Sequence, residues 1–391
     1  MDINDLARPL DGAAVSAFLR SLPAEPLLLA LGEARHGVEA LLELRNDIFR
    51  HLVEHEGYRS FAIESDCLMG LVVDDYVATG AGSLDDVMER GFSHGFGAYP
   101  ANRELVRWMR AYNEEHDERL RFFGFDGPLE ISGAASPREA LTGLYGYLAE
   151  RLDPSLLPCA PETLDELLGP DDRWTNPAAA LDPSQSIGRS AEAQRLRLIA
   201  DDLVAFLDAQ APQLGGPDED LAALYGRTAT GLLRYHHWIA DTSPARLTWL
   251  MSLRDQMMAA NLRAVAGHGP ALVFAHNRHL QRDKSFLLLG DAPVEWWSAG
   301  AIAGVGLGDR YAFLASAFGT VGGDVPPPDT VEGLLSEVPP GRSLVDARRL
   351  DETLLEPSPR VSRDFAYFPL DPAQLRTIDG IVFLKETGDL D

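Results

Sequence analysis

Apolar and polar positions in the first third of the chain alternate between two periods. Leu27 to Leu31 is an unbroken apolar run closing on Gly32-Glu33, the pattern of a buried strand. From about Val38 to Glu56 the apolar residues Val38, Leu41, Leu42, Ile48, Phe49, Leu52 and Val53 share one helical face. A second strand is predicted at Ser60 to Ile63, ending in Glu64. Helical patterns follow around Leu71–Tyr76 and over Asn102 to Asn113, and then a strand from Arg121 to Phe125 ending in Asp126. Strand and helix in this alternation imply parallel pairing through crossover helices.

From about Ser136 to His268 the pattern is helix without strands, with Pro- and Gly-containing breaks near 153–188 and 211–217 and one long run from Asp218 to Ala266. Strand character resumes at Ala271 to Ala275, ending in His276-Asn277, and again at Val294 to Trp297, Arg310 to Ala317 and Ile378 to Leu384. Gly304, Gly306 and Gly308 do not spell G-x-G-x-x-G and read as a strand-joining turn. Val325 to Pro328 reads as a surface loop. The expected fold is therefore α/β, a mostly parallel central sheet flanked by helices, with a large helical insertion over the carboxyl-end edge of the sheet. The expected divisions are 1–130 and 269–391 for the two parts of the core and 131–268 for a lid-like insertion.

Size and charge narrow the function classes. With 391 residues, 46% of them hydrophobic and 24% charged, the chain can bury a sizeable core and exceeds what one core usually holds. A formal net charge of −26 argues against nucleic acid or an anionic membrane as partner and favours a neutral or cationic small molecule. Cys67 and Cys159 are too few for a disulfide framework or a Cys-rich zinc site, which makes a reducing cytoplasm the expected setting. The first twenty residues lack a basic segment followed by an apolar one, and no stretch approaches the roughly 18 apolar residues of a membrane span. Oligomeric state is not encoded in these patterns; a monomer is the starting expectation.

Ligands in open parallel sheets bind where the strands end at their carboxyl edge. Glu33, Glu64, Asp126 and His276 end four predicted strands, so they are candidates for one cluster. His36 follows Glu33 by three residues at the predicted start of the first helix, where the helix dipole disfavours imidazolium. A general base needs that neutral ring, although a capping or packing role fits the same position. Arg45 falls on the apolar stripe between Leu42 and Ile48, so it must be paired or reach solvent. Glu64 is the natural partner, and the pair is open to a structural or a substrate-contacting role. His276 and His279 stand too loosely spaced on a loop to specify a metal, and the helical H-E-x-x-H motif is absent. His236-His237 reads as surface or core packing. No G-x-S-x-G elbow supports serine hydrolysis. Ser93 to Pro100, rich in Gly, His and aromatic residues, suits a pocket wall.

These residues also carry a family resemblance. Gly32-Glu33-Ala34-Arg35-His36-Gly37, Arg45 and Phe61-Ala62-Ile63-Glu64 resemble the G-E-x-x-H-G motif, the Arg and the strand-end Glu of the erythromycin esterase family, which includes proteins of succinoglycan biosynthesis. Phe123-Gly124-Phe125-Asp126, the helix Leu253-Arg254-Asp255-Gln256-Met257-Met258-Ala259-Ala260-Asn261 and Ala275-His276-Asn277-Arg278-His279 resemble further family motifs in the same order. The resemblance implies a hydrolase without metal or other cofactor that opens an ester or macrolide lactone by direct attack of water. His36 would be the base, with Glu33, Arg45, Glu64 and His279 placing the water and stabilising charge. Arg35, Asp126, His276, Asn277, Arg254 and Asp255 would bind substrate or support the site. Arg35 departs from the small hydroxyl residue usual before the family's histidine; a cation there would depress the base's pKa and add a donor for an oxyanion or carboxylate. A biosynthetic elimination, cyclisation or rearrangement on the same cluster, or a non-catalytic binding protein, are the alternatives.

Overall fold

The computed structural model describes residues 6–130, 133–216, 218–289, 292–339, 341–353, 357–362, 364 and 366–387. Both outer ends of the expected core segments, residues 1–5 and 388–391, lie outside the described residues. In chain order the strands are β1 (Ala7–Pro9), β2 (Leu28–Glu33), β3 (Ser60–Asp66), β4 (Arg121–Asp126), β5 (Leu129–Glu130), β6 (Gly133–Ala134), β7 (Ala271–His276), β8 (Lys284–Leu289), β9 (Ala292–Trp297), β10 (Tyr311–Thr320), β11 (Arg342–Asp346) and β12 (Gly380–Glu386).

The chain divides into two compact units, one holding the residues up to Phe125 and from Leu262 onward, the other Asp126–Asn261. The first is built on an eight-stranded sheet in the order β1-β11-β12-β10-β2-β7-β3-β4, and the fold is α/β. The inner run β12, β10, β2, β7 and β3 is parallel, while β11 and β1 add on antiparallel. The chain leaves this sheet at the edge strand β4 and re-enters it at β7, between β2 and β3. Continuous burial along β2, β3, β7 and β10 explains why their sequences read as apolar runs rather than alternations. Helix Glu39–His55 buries Leu41, Leu42, Arg45, Ile48, Phe49, Leu52 and Val53. Each fully buried Leu, Ile or Phe of such a stripe contributes about 1.5–3 kcal/mol, which is what fixes this helix, and hence the turn before it, on the sheet.

The second unit is helical apart from the short β5–β6 hairpin, with long helices at Ala191–Leu214, Glu219–Ile239 and Arg246–Ala266. The run expected as continuous from Asp218 to Ala266 breaks after Ile239, where Asp241 accepts from the backbone N–H of Ser243 and turns the chain. Val294–Trp297 is a strand as expected, part of β9, which pairs with β8 in a separate hairpin. One further expectation is corrected. Gly304 and Gly306 lie inside a helix, Ala299–Leu307, capped by the Ser298 hydroxyl, and Gly308 ends it at φ +56°. Among the described residues no helix is long and apolar enough to cross a membrane.

Register delivers the site. Glu33 pairs with His276 across β2 and β7, and Ile63 with Phe274 across β3 and β7, so Glu33, Glu64 and His276 reach one edge together. Asn277 locks that edge to β10: its amide donates to the Ser316 carbonyl at 2.9 Å and its Oδ1 accepts from the Ser316 N–H at 3.2 Å. Gly32 makes room for this strut, because a Cβ there would sit 1.9 Å from Asn277 Oδ1 and 3.0 Å from the Phe313 ring. Gly32→Ala is therefore expected to lower stability by about 3 kcal/mol through overpacking and a broken buried hydrogen-bond pair, read as a fall of several degrees in thermal melting; an unchanged melting temperature would refute the strut.

Candidate active site

His36 lies in the turn after β2. The following helix begins at Glu39 with Val38 as its N-cap, so the ring stands ahead of the helix rather than at its N-terminus, and the expected dipole effect is not the main influence on it. That role passes to Glu33. Its Oε2 accepts from His36 Nδ1 at 2.7 Å, and its Oε1 accepts from the Gly37 N–H at 3.0 Å. A charge-assisted hydrogen bond of this kind is worth about 1.5–3 kcal/mol, against about 0.3–1 kcal/mol for a helix terminus. With the proton on Nδ1, Nε2 becomes the accepting nitrogen. Gly37 adopts φ +78°, and a Cβ on it would meet the Tyr99 hydroxyl at 2.9 Å, so the turn requires glycine twice over.

Nε2 points to Glu64, whose Oε2 is 4.0 Å away. The same oxygen accepts from the His276 backbone N–H at 2.8 Å, and Oε1 lies 3.4 Å from His279 Nε2. Glu64 is thus fixed by the strand edge while facing both imidazoles. Its side chain and that of Glu33 are each only 3% exposed, whereas His36 is 37% exposed and open to a ligand.

His276 packs its ring 5.0 Å from that of His36. Burial, then the neighbouring charges of His36, Arg278 and His279, push its pKa well below the ordinary histidine value. Its Nδ1 accepts from the Arg278 N–H, and the ring also bonds the Ala366 backbone. A neutral ring with both nitrogens engaged packs and supports; it does not carry protons.

Arg45 is buried, as its place on the stripe required, but its partner is not Glu64. Nε and Nη2 donate to Asn46 Oδ1 at 3.1 and 2.7 Å, and the guanidinium lies over Phe274 at 4.7 Å and Phe61 at 5.2 Å. Glu64 is instead committed to the His276 backbone N–H. Burial lowers the Arg45 pKa to about 10, opposed by the charges of Glu33 and Glu39. Nη1 has no hydrogen-bond partner.

Arg35 turns from the ring: Nε donates to Asp364 Oδ2 at 2.6 Å and Nη1 to the His36 carbonyl at 3.3 Å. Asp126, Arg254 and Asp255 belong to the second unit. There Arg254 grips the fully buried Asp126 through Nε and Nη2, at 3.1 and 2.7 Å, and Asp255 is buried one residue along the helix. His236, also in that unit, packs against Trp174 and bonds the Ala135 carbonyl, and burial holds its pKa down to about 4, a packing role. Among the described residues no group of three or more His, Cys, Asp or Glu side chains is arranged to hold a metal ion.

A sequence model of the erythromycin esterase family matches residues 53–387. The chain belongs to that family. An erythromycin esterase type II from Escherichia coli is 30% identical over 111 residues, 28% of this chain and 26% of that protein, so the alignment spans about a quarter of the relative's length. Three solved structures share the fold: a Bacillus cereus protein (TM-score 0.74, 18% identity, 98% of this chain and 95% of that one), a succinoglycan biosynthesis protein (0.73, 17%, 98% and 95%) and a variant of the erythromycin esterase EreC in its open conformation (0.69, 17%, 96% and 95%). The family match takes in Glu64, Asp126, Arg254, Asp255, His276, Asn277 and His279 and begins after Glu33, Arg35, His36 and Arg45.

In this family member the site has a wall that sequence reading missed. The segment before β12 brings the Phe368 N–H onto the Ala34 carbonyl at 2.7 Å and its ring to 5.7 Å from His276, under the Arg278 guanidinium. Buried Glu332 anchors it by accepting from the Leu370 N–H and the Tyr367 hydroxyl at 2.9 and 3.1 Å. On the other side Phe96 lies 5.3 Å from the His36 ring, in the loop expected as a wall. His94 in that loop has φ +57°, the one non-glycine residue in the left-handed region among those described, a conformation costing about 1–3 kcal/mol.

Arg45 supplies a test of site against scaffold. Replacing a buried charge with an apolar side chain of similar length is often neutral or stabilising. Arg45→Met is expected to melt no lower than the native chain while losing activity; a loss of roughly 3 kcal/mol in stability would instead make the guanidinium a structural necessity.

Proposed function

We propose that the chain is an ester or lactone hydrolase in which His36 activates water for direct attack, without a covalent acyl-enzyme. The observation that carries this is the Glu33–His36–Glu64 line. Glu33 holds Nδ1, and Nε2 stands 4.0 Å from Glu64, too far for a direct hydrogen bond and suited to a water touching both with arms of about 2.8 Å.

A water so held donates one proton toward His36 Nε2 and the other toward Glu64, which leaves an oxygen lone pair directed at an incoming carbonyl carbon. As the C–O bond forms, the proton passes to Nε2 and the carbonyl becomes an oxyanion. Glu33 stabilises the imidazolium, as a carboxylate does for any histidine base. When the tetrahedral intermediate collapses, the alkoxide leaves and takes the proton back from His36, so acid and alcohol are the products and the site returns to its starting state. His279, beside Glu64 Oε1, positions that carboxylate or donates to the oxyanion. Arg45, wholly buried, acts on charge from within and does not touch substrate. The relatives described as erythromycin esterases support a lactone or ester in a natural-product-like molecule, and the acidic chain favours a neutral or cationic one.

Steady-state kinetics on a lactone or aryl-ester substrate test the roles. His36→Ala is expected to lower kcat/KM by about 10³-fold or more and Glu33→Gln by about 10²-fold, both folded at the assay temperature and melting a few degrees lower for the lost Glu33–His36 bond. Because the active form is neutral imidazole, kcat/KM should fall as pH is lowered and the ring takes up a proton. Activity persisting undiminished below pH 5, or surviving in His36→Ala, would remove His36 as the base.

A further inference from the structure

The helical unit carries a second site chemistry that the esterase reading leaves unused. Helices Ala191–Leu214 and Glu219–Ile239 form an antiparallel pair joined by a short loop. They approach closely at Gly226, where a Cβ would meet Val204 at 3.0 Å. Two turns from that contact, Arg197 on one helix comes level with Arg234 on the other, and the helices part around a cavity of about 350 Å³. Gln194, Leu198, Asp201, Thr230 and Leu233 line it with the two arginines.

What marks this groove is two cations side by side. The chain has 60 acidic and 34 basic residues, and several arginines elsewhere hold a carboxylate: Arg59 with Glu118 at 2.9 Å, Arg121 with Asp74 at 2.9 Å, Arg151 with Asp218 at 2.7 Å. Arg197 and Arg234 do not. Among the described residues neither makes an ion pair or a side-chain hydrogen bond, Asp201 included. They face each other closely enough that Arg234, after partial burial, pushes the Arg197 pKa down; partial burial, then Arg197 and Arg189, lower that of His237. Arg234 also lines the adjoining cavity of about 120 Å³, shared with Arg227 and Asn261. Two guanidinium forks held together against their own repulsion beside an open cavity have the donor set for two or more oxygens of one anion.

The geometry points to an oxyanion-binding site in this groove, which takes the phosphate or carboxylate group of a small molecule between Arg197 and Arg234, with exposed Leu198 against its apolar part. Nothing in the proposed hydrolysis uses these residues, so the two readings stand or fall separately.

Isothermal titration of the full chain with inorganic phosphate, and separately with benzoate, tests it at constant ionic strength set by chloride. The expected result is stoichiometric binding of at least one of the two anions, weakened at least tenfold in Arg197→Gln and in Arg234→Gln and unchanged in Arg195→Gln, which lies on the same helix outside the groove. Without anion, both groove variants should melt no lower than the native chain, because a like-charge contact has been removed; Arg234, being exposed, serves should the Arg197 variant fold poorly. The preferred anion identifies the end group. Heats no larger than those of chloride for both anions, or binding that both groove variants keep, would overturn the assignment.

Discussion

Everything at the candidate active site depends on one hydrogen bond, from His36 Nδ1 to Glu33. It decides the tautomer, which decides that Nε2 accepts, which gives the ring a chemical direction. The bond exists because β2 runs parallel to β7 in a register that ends both strands at the same level, and because Gly37 can turn the chain back so that His36 returns over the residue that closed the strand. Glu33 therefore spends one oxygen on the imidazole and the other on the turn that positions it. A carboxylate so engaged at both oxygens resists rotation, and the imidazole inherits that rigidity.

Charge around this bond is arranged in layers by burial. His276, in ring contact with His36, has its pKa held well below the ordinary histidine value, so it packs against that ring as a neutral neighbour. Arg45, below the edge, keeps a positive charge in the apolar core between two aromatic faces and near Glu33. Such a group costs several kcal/mol of desolvation, and two cation–π contacts of about 2 kcal/mol each offset only part of it. A fold optimised for stability alone would place leucine there. Arg45 puts a fixed positive potential near Glu33, the carboxylate that holds His36.

How much of this was legible in the sequence follows the physics of each element. Parallel, buried strands announce themselves as apolar runs, and a polar residue at the end of each marks the carboxyl edge; Glu33, Glu64 and His276 were read that way, and register brings them together. Arg45 was recognisable as anomalous because a guanidinium interrupts an apolar stripe, but its partner was misread: an adjacent Asn and two ring faces satisfy it, and stripe position carries no information about either. Asn277 was named without its function, since the strut to Ser316 joins residues far apart in sequence. β1 and β11 are too short to show a period, and the Phe368 segment has none at all, being held by Glu332 from below rather than by its own pattern. The glycines at 304, 306 and 308 misled for a related reason: a capping serine and small apolar neighbours made a helix where glycine spacing alone suggested a turn.

The central claim is that water, activated by His36, attacks the ester directly. It is tested most directly by single-turnover hydrolysis of a macrolide or simpler lactone in heavy-oxygen water, with mass spectrometry of product and protein for the native chain and for His36→Ala. The expected result is one labelled oxygen in the product carboxylate, dependent on His36, with no mass added to the protein at any time. A His36-dependent product without label, or an acylated protein preceding product, would contradict the account.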